Sequence, residues 1–191
     1  MPRQLIEADI LDDVPAVRPA VTWAVAIAVG YAVVGAGCGW LWASRYTAPT
    51  GVVYNHTWYP DHWDAGQRTV FAATGTFVVV ALIAGLLLGL AASLVPRMPE
   101  VATLVGVVVG SVLATWLMLR VGLHLAPPDP ATAAATAADG TQLEGGLATP
   151  GWAARTTLPL SSLAVLCVVY LMVTPRSRTD GDVTSAVSGE E

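Results

Sequence analysis

Two groups of residues have the side chains to do chemistry. The first is the run Tyr54-Asn55-His56-Thr57-Trp58-Tyr59-Pro60-Asp61-His62-Trp63-Asp64, in which His56, Asp61, His62 and Asp64 gather two imidazoles and two carboxylates. Imidazole with carboxylate is a usual ligand set for a transition metal. The spacing matches no established metal site, and no helix in the run brings His56 to His62. The same stretch is rich in Trp and Tyr, the residues that anchor protein partners when exposed. Folded onto a membrane surface, those rings would also sit well at the lipid interface. Weak metal site, partner surface and interfacial loop are three readings of one segment.

The second group is Arg120 and His124. Four residues apart, they share a face of any helix that contains both. An ionisable residue inside a membrane span is a functional hypothesis by default. Here Arg120 stands close to the end of an apolar run, so its stem can carry the guanidinium out to the headgroups or to a lipid phosphate. The competing reading is an ion pair with Asp61 or Asp64 that locks loop to helix.

The elements that position both groups follow from composition. The 191 residues are 54% hydrophobic and 12% charged, with nine Arg, no Lys and a net charge of -5. A soluble domain carries about 25% charge, and a nucleic-acid binder would be basic. The reading is an integral membrane protein with the lipid bilayer as its first partner and no nucleic acid.

A hydrocarbon core about 30 Å thick takes roughly 20 apolar residues as a helix. Four such runs occur, at 21–43, 70–95, 101–125 and 156–174, the last with Pro159 in its first turn. Every charged residue except Arg120 lies outside them. Backbone groups in lipid must be satisfied within the segment, and the alternation of a barrel strand is absent, so the expected fold is all-α, a four-helix transmembrane bundle. The organisation is an N-terminal tail over 1–20, a four-span domain over 21–174 and a disordered tail over 175–191.

Four spans put both termini on one side. Arg3, Arg18, Arg97, Arg176 and Arg178 fall there, against Arg45, Arg68 and Arg155 opposite, or four with Arg120. The bias places the termini in the cytoplasm of a multi-pass plasma-membrane protein. Acids at the front are a poor match to a signal peptide. Cys38 after Gly35-Ala36-Gly37 is faintly like a lipoprotein site, but its plainer reading is a small packing residue, and Cys38 with Cys167 shows no CxxC spacing.

Pro96-Arg97-Met98-Pro99-Glu100 makes a tight helical hairpin. Leu5, Ile6, Ile10, Leu11 and Val14 form a weak candidate for an interfacial helix. Residues 126–155, rich in Ala, Thr, Gly and Pro, predict a mobile external loop.

Helices in lipid associate through small residues. Gly35 with Gly39, Gly85 with Gly89, and Gly106 with Gly110 form three ridges, extended by Ala81, Ser93 and Ala114. They favour packing within the chain over a homodimer seam. Trp23, Trp40, Trp42, Trp116 and Trp152 near span ends read as headgroup anchors.

No acid lies within a span, no intramembrane His pair could hold haem, and no nucleotide loop, nucleophile motif or HExxH is present. The sequence calls for no cofactor and no catalytic residue. It reads as a non-enzymatic accessory or structural envelope protein, or a subunit with a membrane-protein partner. The alternative is a small transporter or permeation unit built by homo-oligomerisation along the Gly ridges.

The run Phe71-Ala72-Ala73-Thr74-Gly75-Thr76-Phe77, followed by Ala84-Gly85-Leu86-Leu87-Leu88-Gly89-Leu90-Ala91-Ala92, resembles the actinobacterial DUF2567-type family of small four-span membrane proteins of unknown function. The likeness extends over about residues 20–174. Members tend to carry an acid where this chain has Thr74. The resemblance implies the four-span architecture and an actinobacterial origin, and no activity, cofactor or catalytic residue.

Overall fold

A computed structural model describes residues 14–95 and 100–173 of the chain. The readings made above for the front of the chain, the Pro96–Pro99 turn and the C-terminal tail lie outside the described residues.

The chain runs α1 (Val14–Ser44), β1 (Thr50–Tyr54), β2 (Thr57–Pro60), α2 (Trp63–Ser93), α3 (Glu100–Leu125), α4 (Pro130–Ala134), β3 (Gln142–Glu144), α5 (Trp152–Arg155) and α6 (Thr157–Val173). It is mostly helical, and α1, α2 and α3 are long and apolar enough to cross a membrane. α6 is apolar throughout but has 17 residues. At about 1.5 Å per residue it falls short of a 30 Å core by itself. Its start follows from Pro159, which lacks the N–H that a continuous helix would need.

Val21, Val25, Val29 and Val33 recur every fourth residue along α1 and are all more than half exposed. Such a continuous apolar stripe is costly in water and natural against lipid tails.

The helices pack most extensively as two pairs, α1 with α3 and α2 with α6. A Cβ built on Gly39 would lie 2.5 Å from the Met118 carbonyl oxygen, and one on Gly35 would collide with Ala114. From the other side, Gly106 faces Ala24, and Gly110 faces Ala28 and Tyr31. Residue numbers rise together on the two helices, so α1 and α3 run parallel. In the second pair Gly85 meets Ser161 and Leu158, and Gly89 would place a Cβ 2.5 Å from the Ser162 carbonyl oxygen. Each of the three ridges therefore rests on another helix of the same chain. Between the pairs, Trp42, Phe77, Ala81, Ala84, Val107, Ala114, Met118 and Leu158 form the core.

The all-α expectation misses a second layer. β1 is the centre of a three-stranded antiparallel sheet of order β2-β1-β3. Val52 pairs with Tyr59 on one side and with Gln142 on the other. The third strand comes from the segment whose composition predicts a mobile loop. Instead, that segment folds, burying Pro130, Ala134, Leu147, Pro150 and Ala154. The cause is tertiary: its backbone finds partners in the first connection, Val53 N–H donating to the Thr141 carbonyl and Gly140 N–H to that of Val53, at 2.9 and 2.8 Å. We call this sheet with its short helices the cap.

Candidate functional site

The chemically endowed run 54–64 is a β-hairpin continued into α2. Asn55 and His56, with φ of 49° and 58°, form its two-residue turn. Both central residues left-handed is the type I′ geometry that matches the twist of paired strands. Asn tolerates that conformation through its short polar side chain, and His does so at some cost. The turn is fastened from outside, the Asn55 N–H donating to Asp139 Oδ1 at 2.9 Å.

The hairpin separates His56 from the other three candidate ligands. His56 sits at the tip, whereas Asp61 and His62 follow the far end of β2, about 13 Å away at the rise of an extended strand. Asp61 closes the open end of the hairpin, its Oδ2 accepting from Thr50 Oγ1 at 2.6 Å and its N–H donating to the Thr50 carbonyl at 3.1 Å. His62 caps the start of α2 with its backbone and makes no side-chain capping bond. Asp64 lies in the first turn of that helix, where a carboxylate is favoured by the helix dipole. Among the described residues no three of His, Cys, Asp and Glu come together as a metal site.

Arg120 and His124 are exposed on the outer face of α3. The Arg120 guanidinium lies over the Trp116 ring, 5.5 Å from its centroid, a cation–π contact between neighbouring turns. Asp61 is engaged by Thr50 instead, so no pair forms between Arg120 and the loop acids among the described residues. His124 falls in the last turn of α3.

The sequence reading missed the concave feature of the cap. A cleft of about 1030 Å³ opens between the hairpin, the start of α2, the end of α3 and the segment after β3. His56, Trp58, Tyr46 and five prolines at 49, 60, 127, 128 and 130 line it, with Asp129. Asp129 is committed to capping α4, its Oδ1 accepting from the Ala131 N–H at 3.0 Å. Tyr46 ties two walls together: its hydroxyl donates towards the Gly145 and Gly146 carbonyls at 3.0 and 2.8 Å. Burial pushes the Tyr46 phenol up from its ordinary value. Trp58 Nε1 donates to the Leu143 carbonyl at 3.1 Å. The prolines were visible in the sequence as punctuation, but their meeting on one cleft depends on β1 pairing with β3.

Trp42 departs from its anchor reading. It is buried, its Nε1 donates to the Ala73 carbonyl at 2.8 Å, and its ring packs edge-on against Phe77 at 5.1 Å. Gly122, with no Cβ, makes room for the ring. Trp40, Trp116 and Trp152 remain exposed as anchors would be.

Three hydroxyls inside the bundle are turned onto backbone. Ser162 Oγ donates to the Gly85 carbonyl at 3.1 Å, Thr115 to that of Ser111 at 2.9 Å and Ser161 to that of Leu158 at 3.1 Å. Such bonds satisfy hydroxyls in an apolar setting.

In comparison with known proteins, the chain matches no family model, no curated protein and no solved structure.

Proposed function

We propose that the protein is a non-enzymatic accessory protein of the plasma membrane, whose cap is the contact surface for a membrane-protein partner. Four helical crossings carry that cap, with both termini in the cytoplasm. The observation that carries the reading is the cap itself: Tyr54 and Tyr59 stand exposed on a sheet fixed at both ends. Rigid aromatic side chains lose little entropy on binding and are the usual anchors of interfaces.

The fourth crossing is supported by continuity. Thr156 alone separates α5 from α6, and the run Trp152–Val173 is about 33 Å long at the rise of a helix. Pairing of β1 with β3 brings the two longer connections to one end, as the out-and-back run of α2 and α3 between them requires, and α6 returns from that end along α2, with Ser161 and Ser162 against Gly85 and Gly89. The arginine asymmetry supports cytoplasmic termini. Kinship with the DUF2567-type proteins belongs to the same proposal and rests on residues 71–77 and 84–92.

Chemical cross-linking followed by purification in mild detergent tests the reading. One reproducible membrane-protein partner is expected, and its yield should fall when Tyr54 and Tyr59 are both changed to Ser; recovery of the protein alone would count decisively against a partner role. A periplasm-only reporter fused at Glu191 should be inactive. The permeation alternative requires free ridges for oligomerisation, and Gly35, Gly39, Gly85, Gly89, Gly106 and Gly110 are all filled by the chain's own helices.

A further inference from the structure

A second, smaller cavity of about 240 Å³ lies where the cap end of α1 meets the start of α2. Arg45 and Arg68 both line it, beside Tyr46, Thr47, Thr69 and Thr76. No acid is among the lining residues, and neither arginine forms a salt bridge among the described residues. Two arginines therefore line one small concavity that has no carboxylate among its lining residues.

The geometry places that concavity at a defined depth. Trp42 Nε1 bonded to the Ala73 carbonyl clamps the two helices together. Arg45 stands about one turn beyond Trp42, and Arg68 a little more than one turn before Ala73. Both are therefore on the cap side of the clamp, where the apolar stretches of α1 and α2 give way to polar residues. That is the level of lipid headgroups.

We propose that this notch binds a phosphate-bearing anion, supplied by the headgroup of an acidic phospholipid. Planar guanidinium forks match phosphate oxygens and hold them with charge-assisted hydrogen bonds. An anion between Arg45 and Arg68 also removes the repulsion of the two like charges. A lipid source fits because the notch opens at the rim of the spanning helices, where headgroup phosphates are concentrated. Arg120 supplies a built-in comparison: it is stacked on Trp116, lies about a turn further into the bundle by the Gly39–Met118 contact, and does not line the notch.

The test uses the full chain purified in detergent, with lipid retention read by native mass spectrometry. Phosphatidylglycerol should be retained about tenfold better by the wild type than by the R45Q/R68Q double variant. Phosphatidylcholine, whose own ammonium offsets its phosphate, should be retained weakly by both. R120Q should behave as wild type, and R45K/R68K should recover part of the retention. Equal thermal melting of the variants, all exposed substitutions, would show that the fold is intact. Displacement of phosphatidylglycerol by millimolar inorganic phosphate would uphold the anion site and reassign its source to a soluble phosphate. Equal lipid retention by wild type and R45Q/R68Q, or an equal loss in R120Q, would overturn the proposal.

Discussion

Gly89 and Tyr46 close gaps in opposite ways. In the bundle, Gly89 has no side chain, and the α2 and α6 backbones approach until a Cβ there would sit 2.5 Å from the Ser162 carbonyl oxygen. In the cap, Tyr46 reaches across to the Gly145 and Gly146 carbonyls and joins segments far apart in sequence by hydrogen bonds. The contrast follows from solvent. Lipid tails are as apolar as the helices, so contact area and backbone approach decide association. Outside the bilayer, water competes for every polar group, and the cap must hold its short elements by bonds between connections. The bundle is thus sensitive to added volume, and the cap to lost donors.

The largest effect tests the first half of that statement. Gly89→Val should destabilise the bundle by about 3 kcal/mol, because the Ser162 backbone must retreat to admit the branched side chain. Denaturant titration in detergent measures it. Gly75, with nothing within 4 Å of a built Cβ, is the matched control: Gly75→Ala should be neutral or raise stability by up to about 1 kcal/mol through helix propensity. If Gly89→Val left the monomer's stability unchanged and dissolved a dimer, the ridge would be a seam between copies and the comparison would fail.

A smaller loss is expected in the cap. Tyr46→Phe removes the hydroxyl from two carbonyls and should cost about 1.5 kcal/mol. Its pH dependence sharpens the assignment. Burial raises the folded-state pKa of Tyr46 above its ordinary 10.0, so the neutral phenol's contribution is complete below pH 10 and disappears as pH climbs through the raised value. Wild type and Tyr46→Phe should differ at neutral pH and converge in strong alkali. No gap at neutral pH would mean that ring packing, which Phe retains, and not the donated bond, holds the cleft wall.

The two halves also differ in how far the sequence discloses them. The ridges repeat every four residues within single helices, so local spacing carries the whole signal. What spacing leaves open is which helix each ridge faces, since that depends on loops and depth. The sheet carries almost no local signal, with strands of five, four and three residues. Gln142-Leu143-Glu144 becomes a strand because β1 offers an edge from about ninety positions earlier, and Ala/Thr/Gly composition says nothing about that edge. Trp42 illustrates a smaller error of the same kind. A Trp at a span end satisfies the anchor pattern equally well whether it points outward or inward, and the deciding residue is Gly122 on another helix. His56 is close in sequence to Asp61, His62 and Asp64 but distant in space, because a hairpin carries its tip away from its base.

The smallest effect concerns the hairpin tip and reverses the sign. His56 holds a φ of 58°, a conformation that costs a residue with a Cβ roughly 1 kcal/mol. Glycine adopts it without penalty, and Asn-Gly is the favoured pair for a type I′ turn. His56→Gly should therefore raise cap stability by about 0.5–1 kcal/mol, read as an upward shift in the thermal transition that Tyr46→Phe lowers at neutral pH. Gain at this position would place His56 among residues kept for something other than folding, since the imidazole faces the cleft at the expense of the turn. A loss would mean that the imidazole's contacts in the cleft outweigh backbone strain, making the tip part of the cap's packing.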